Sequence, residues 1–180
     1  MANVFVFLTT GFEEIEALAT IDVLRRAKLN VQSVSLTGQK QVTGAHQVTV
    51  EADCLLEQAD LSAADMLVVP GGTTKFNEHE DFKQQLLAFA QKGGKVAAIC
   101  ASPMVLGGLG LLEGKKATCY PGFEQYLKGA QLQTESAVVV DGRITTGRGP
   151  GLTIAFALSL VEQLAGQAVR DEVASGLLVQ

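Results

Sequence analysis

Four short segments of this 180-residue chain carry residue types that could do chemistry. Cys100 follows the strand-like segment 95–99 and precedes Ala101-Ser102-Pro103, where a strand should turn into a helix. A thiol at such an elbow is exposed as a nucleophile. Partial positive charge at helix-end N–H groups would favour its thiolate. Residue type alone allows the opposite reading, because free cysteine is among the most buried side chains. Gly71-Gly72 follows another apolar run and would let backbone N–H groups approach a reacting oxygen, or would simply end the strand. Glu16 lies near the start of the first predicted helix. It is a candidate acid or base if it points inward, and otherwise only complements the helix dipole or faces solvent, the role expected of Glu13 and Glu14. Gly147-Arg148-Gly149-Pro150-Gly151 could present N–H groups to an anion, or serve as a turn.

The elements that would position these groups alternate in period. Residues 4–8 and 66–69 are unbroken apolar runs, the mark of strands buried on both faces, and residues 95–99 read as another buried strand. Residues 31–36 alternate as a strand. Residues 13–27 repeat apolar side chains at helical spacing through Ile15, Leu18, Ala19, Val23, Leu24 and Ala27. Residues 82–91 read as an amphipathic helix stopped by Gly93-Gly94. Residues 102–109, 152–164 and 169–179 read as further helices. Asp141-Gly142 between residues 137–140 and 144–146 is a hairpin signal, and residues 42–50 look like extra antiparallel pairing. Strand alternating with helix predicts an α/β sandwich, a mostly parallel sheet with helices on both faces. In such sheets the site lies beyond the carboxyl ends of the strands, where all four segments fall. No linker, repeat or charge block divides residues 1–180, so one domain is expected.

Composition narrows the function classes. Apolar residues make up 47% of the chain and charged residues 18%, so a packed core is expected. The net charge of −5 shows no basic stripe, which argues against nucleic-acid binding. No apolar run approaches the roughly 20 residues of a membrane helix, and no leader pattern is read, so a cytoplasmic protein is expected. Cys54, Cys100 and Cys119 form no C-x-x-C pair, and His46 and His79 lie far from them in sequence; neither a disulfide framework nor a metal site has local support. Cys54 and Cys119 are expected to be structural thiols and the two histidines to face solvent. Neither G-x-G-x-x-G nor a phosphate loop is present; Leu152 occupies the place of the required last glycine.

Four segments in register resemble the ThiJ/PfpI superfamily, specifically its DJ-one branch. They are Gly11-Phe12-Glu13-Glu14-Ile15-Glu16-Ala17, Val68-Val69-Pro70-Gly71-Gly72, Val96-Ala97-Ala98-Ile99-Cys100-Ala101-Ser102-Pro103 and Thr146-Gly147-Arg148-Gly149-Pro150-Gly151. The resemblance spans nearly the whole chain. It implies a flavodoxin-like fold and a homodimer. It implies Cys100 as nucleophile, Glu16 as the buried acid, Gly72 and Ala101 as oxyanion N–H donors, and Pro150 lining the pocket. Many relatives carry a histidine twenty residues after the cysteine and before a proline; here Tyr120 precedes Pro121, and a phenol is a poor general base at neutral pH. Peptidases of the superfamily resemble a Cys-His elbow, but Ala101 follows Cys100 here. Related glutamine amidotransferases need a late His-x-Glu pair, and the second half of this chain has no histidine.

The resemblance implies two functions for one set of residues. One is an enzyme on reactive dicarbonyls such as methylglyoxal, or on their early adducts to amino groups and thiols (glyoxalase or deglycase chemistry), which needs no cofactor. The other is a redox sensor or stress-linked chaperone using Cys100 oxidation with little turnover.

Overall fold

The computed structural model describes residues 1–179. Among the described residues, eleven strands and five α-helices follow one another. Strand β1 (Asn3–Leu8) leads through a helical segment to α1 (Thr20–Arg26) and β2 (Asn30–Ser35). The hairpin β3 (Gln41–Thr43) and β4 (Thr49–Glu51) comes next, then short β5 (Cys54–Leu55). Strand β6 (Met66–Val69), α2 (Glu80–Gln91), β7 (Lys95–Ile99) and α3 (Pro103–Gly108) form the middle of the chain. Short β8 (Lys116–Ala117) and β9 (Gln131–Leu132) precede the hairpin β10 (Val138–Asp141) and β11 (Ile144–Gly147). Helices α4 (Thr153–Ala165) and α5 (Gln167–Gly176) close the described chain.

Seven strands make the central sheet in the order β10-β11-β7-β6-β1-β2-β5. All neighbours pair in parallel except β10, which pairs antiparallel with β11 across the Asp141-Gly142 turn. The sandwich and hairpin expected from the sequence are therefore present. The chain leaves β1 toward β2 on one side and returns to β6 on the other. The β1/β6 boundary is thus the switch point where open α/β sheets form a crevice at their carboxyl ends.

Alternation along β1 explains why the sheet is covered twice. Val4 and Val6 join one buried cluster with α1 and α4 through Leu24, Phe156 and Leu160. Phe5 and Phe7 join the other with α2 and α3 through Phe82, Leu86 and Leu106. The rings of Phe7 and Phe82 lie 4.7 Å apart in a tilted pair, and both are fully buried. Removing such a ring costs lost transfer energy plus a cavity. Phe82→Ala is expected to lower unfolding free energy by about 3–5 kcal/mol, read as a lower urea midpoint with unchanged slope.

The first helix departs from the simple pattern. Residues Ile15–Ala19 wind as a π-helical turn before α1 begins. The wider turn rotates the face presented to the core. Ile15 and Leu18, expected inward from helical spacing, are exposed, while Glu16 and Ala17 are fully buried. Single π turns inside helices frequently occur at functional sites.

Candidate active site

The carboxyl ends of β1, β6, β7 and β11 deliver the four segments to one crevice. β1 leads to the π turn that carries Glu16, β6 leads to Pro70-Gly71-Gly72, and β7 leads directly to Cys100. Cys100 N donates to Gly147 O at 2.9 Å, which ties the elbow to the end of β11. Tyr120 N donates to Cys100 O at 2.9 Å, which secures its other peptide group. Ser102 Oγ donates to Pro70 O and links the β7 elbow to the β6 turn. Cys100 itself has φ +66°, an uncommon conformation for a side-chain-bearing residue. Such backbone strain persists only where surrounding bonds hold it, and it aims the side chain out of the strand.

Glu16 is the partner of this thiol. Its Oε2 accepts Gly71 N–H at 2.7 Å. Its Oε1 is buried without a hydrogen-bond partner, and the carboxyl interacts with the Cys100 thiol. Gly71 lies against both: a methyl group built there would come within 2.7 Å of Cys100 Cβ and of Glu16 Oε2. Gly72 has φ +91°, and a Cβ would fall 2.3 Å from Glu13 N. The glycine pair is therefore required by close backbone approach as well as by the turn. The backbone N–H groups of Gly72 and Ala101 both act on the Cys100 thiol and draw it toward its ionised form.

Electrostatics couple the pair. Burial, opposed by the Gly71 and Cys100 hydrogen bonds and aided by the Glu13 charge, pushes the Glu16 carboxyl up to about 7. Burial, followed by the charge of Glu16, pushes the Cys100 thiol up to about 12, against the pull of the Ala101 and Gly72 N–H groups. This corrects the expectation of a thiol held down by a helix end. Cys100 is only 8% exposed, α3 is six residues long, and desolvation beside a carboxylate outweighs the N–H dipoles. The pair readily gives up one proton near neutrality and strongly resists losing the second.

The remaining expected site residues lie around the rim. Tyr120 is 46% exposed, and a Cβ built at Gly149 would lie 3.2 Å from its ring. Tyr120, Arg148, Pro150 and Leu152 line a groove of about 240 Å³. Pro150 thus stands in this rim groove, and the Tyr120 backbone, not its hydroxyl, is what bonds to the cysteine residue. Cys119 is buried and Cys54 half-buried; both are free thiols.

Three acidic or imidazole positions differ from expectation. Glu13 and Glu14 are buried rather than solvent-facing. Glu13 Oε2 accepts Glu16 N–H at 2.9 Å, so it braces the π turn under the catalytic candidate. Glu14 accepts bonds from the His46 and Val48 backbones and lies beside the His46 ring. His79 is half-buried, with Nε2 2.8 Å from Thr9 Oγ1 at the end of β1. For Glu14 and His79 the partners are distant in sequence, so helical position alone offered no signal for those two placements.

The DJ-1/PfpI family matches residues 2–163. "Protein DJ-1 homolog A" of Arabidopsis thaliana is 41% identical over 183 residues, covering 99% of this chain but 47% of the relative. The chain therefore spans about half the length of that protein. "Glutathione-independent glyoxalase DJR-1.2" of Caenorhabditis elegans is 32% identical over 157 residues, covering 86% of this chain and 83% of the worm protein. The crystal structure of Drosophila melanogaster DJ-1beta superposes with a TM-score of 0.95 at 37% identity, covering 99% of this chain and 98% of that one.

Proposed function

The chain belongs to the DJ-1/PfpI family, and from that premise we propose that it is a cysteine-dependent enzyme acting on reactive dicarbonyls or their early adducts, without a cofactor. The observation that carries this reading is the buried carboxyl of Glu16 facing the Cys100 thiol beneath two convergent N–H groups. The worm relative's name, a glutathione-independent glyoxalase, supports the same substrate class.

In the proposed reaction, Cys100 Sγ attacks the aldehyde carbon of methylglyoxal while Glu16 takes the thiol proton. The new S–C bond gives a hemithioacetal. The Gly72 and Ala101 N–H groups hold the oxyanion until Glu16 returns the proton to it, which leaves Glu16 a carboxylate again. Glu16 then removes the proton from the former aldehyde carbon, and the adjacent carbon is reprotonated, giving a thioester. Water cleaves the thioester, returning the thiol and releasing lactate. One water is added overall, and the oxidation of one carbon equals the reduction of the other. The rim groove at Tyr120 and Pro150 would hold the substituent of the dicarbonyl. We propose a cytoplasmic homodimer. Among the described residues no helix is long and apolar enough to cross a membrane.

A second reading rests on the same contact. A protonated Glu16 could donate to an oxidised Cys100 and arrest it at the sulfinic stage, making the protein a sensor or stress chaperone. The test is lactate formation from methylglyoxal by the reduced protein without glutathione. Steady turnover supports the enzyme. No turnover, with stoichiometric oxidation of Cys100 by peroxide, supports the sensor.

A further inference from the structure

We infer that Tyr120, Pro150 and Leu152 form an apolar subsite beside Cys100 that selects dicarbonyls with a longer hydrocarbon substituent over methylglyoxal, given the dicarbonyl chemistry proposed for that cysteine. The preferred class is then alkylglyoxals whose chain extends beyond a single methyl group. The groove of about 240 Å³ runs between Tyr120-Pro121 and residues 148–152, and the atoms it exposes are almost all carbon.

Both walls of the groove hang from the peptide groups of Cys100. Tyr120 N donates to Cys100 O at 2.9 Å, and Cys100 N donates to Gly147 O at 2.9 Å, two residues before Gly149. The walls meet at Gly149, where a Cβ would lie 3.2 Å from Tyr120 Cδ2, so the glycine leaves the ring its room. The 3₁₀ turn Pro150–Leu152 also packs against the π turn that carries Glu16. The groove is therefore continuous with the elements that hold the two reacting side chains. Its lining says what it takes. Tyr120 is 46% exposed and supplies carbon faces with a single hydroxyl at the tip. The histidine that the resemblance led one to expect at this position would instead bring two ring nitrogens that need partners. The charged side chain in the groove, Arg148, lies 3.7 Å from Glu135, which leaves hydrocarbon as the dominant surface. A methyl substituent would reach little of that surface. Each further methylene would exchange water for carbon contact, worth about fourfold in affinity when burial is complete and about two- to fourfold in an open groove.

The test compares kcat/KM for methyl-, ethyl-, propyl- and butylglyoxal without glutathione. The expected result is a rise of about 8- to 60-fold from methyl to butyl. It should be carried by KM, because the substituent lies away from the reacting carbons and binds ground and transition states alike. With each variant referred to its own rate on methylglyoxal, Tyr120→Ala should flatten the series and Leu152→Ala should flatten it in part. Tyr120→Phe should keep it, since the ring makes the contact. A flat or falling series in the wild type, or a rising one unchanged by Tyr120→Ala, would overturn the inference and leave the dicarbonyl reading standing. No turnover of any member, methylglyoxal included, would overturn both.

Discussion

Cys100→Ser is expected to reduce lactate formation from methylglyoxal by about 10³-fold or more while the protein stays folded. The hydroxyl fills nearly the same volume in a site only 8% exposed, and it inherits the same backbone bonds to Gly147 and Tyr120. What it loses is the nucleophile: an alcohol holds its proton far more tightly than a thiol, and no histidine stands beside it to take that proton. Glu16→Gln is expected to cost about 10²–10⁴-fold, the usual contribution of a positioned acid–base group. The amide can still accept the Gly71 N–H bond that the carboxylate accepts at 2.7 Å, so the pocket keeps its shape. It cannot receive a proton from sulfur. If both single variants and the double variant fall to a similar floor, the two residues act as one unit. Wild-type rates in Cys100→Ser would sink the assignment of Cys100 as nucleophile.

The second large effect is on pH dependence. With Cys54 and Cys119 replaced by Ser and any metal removed by EDTA, alkylation of Cys100 by iodoacetamide should accelerate as pH rises through about 7, the ionisation range of Glu16. The sign follows from which form burial disfavors. Desolvation raises the Glu16 pKa, so below that range both groups are protonated and the thiol is inert. Above it the pair has lost one proton, and either tautomer is productive: carboxylate beside thiol, or carboxylic acid beside thiolate. Losing the second proton is disfavoured up to about 12, because it would leave two charges together in a desolvated pocket. Glu16→Gln removes the near-neutral step, and reactivity should then appear only as the buried thiol ionises on its own at alkaline pH. A near-neutral step that persists unchanged in Glu16→Gln would show that another group controls the sulfur.

How much of this was readable beforehand differs by residue. The apolar runs of β1, β6 and β7, the Asp141-Gly142 hairpin and the Gly71-Gly72 turn were legible because each expresses a local rule about consecutive residues. The elbow at Cys100 was legible for the same reason, since a buried strand meets Ser102-Pro103 at that point. Glu16 was legible only through its resemblance to a family pattern. In the chain itself nothing separates it from Glu13 and Glu14, and a plain helix would have turned Ile15 and Leu18 inward in its place. The π turn reversed that choice, and it is braced by the Glu13 carboxylate.

The sequence by itself determined the layers of the sandwich, the positions of its turns and the presence of one thiol at a strand's carboxyl end. These depend on periodicity and turn chemistry, which neighbours along the chain decide. Tertiary structure alone decided that Glu16 faces Cys100, that the thiol's pKa rises rather than falls, and that His46 meets Glu14 from 32 residues away. Each of those depends on burial and on charge at close range, and both are set by segments that meet only when the sheet and its two helical layers close.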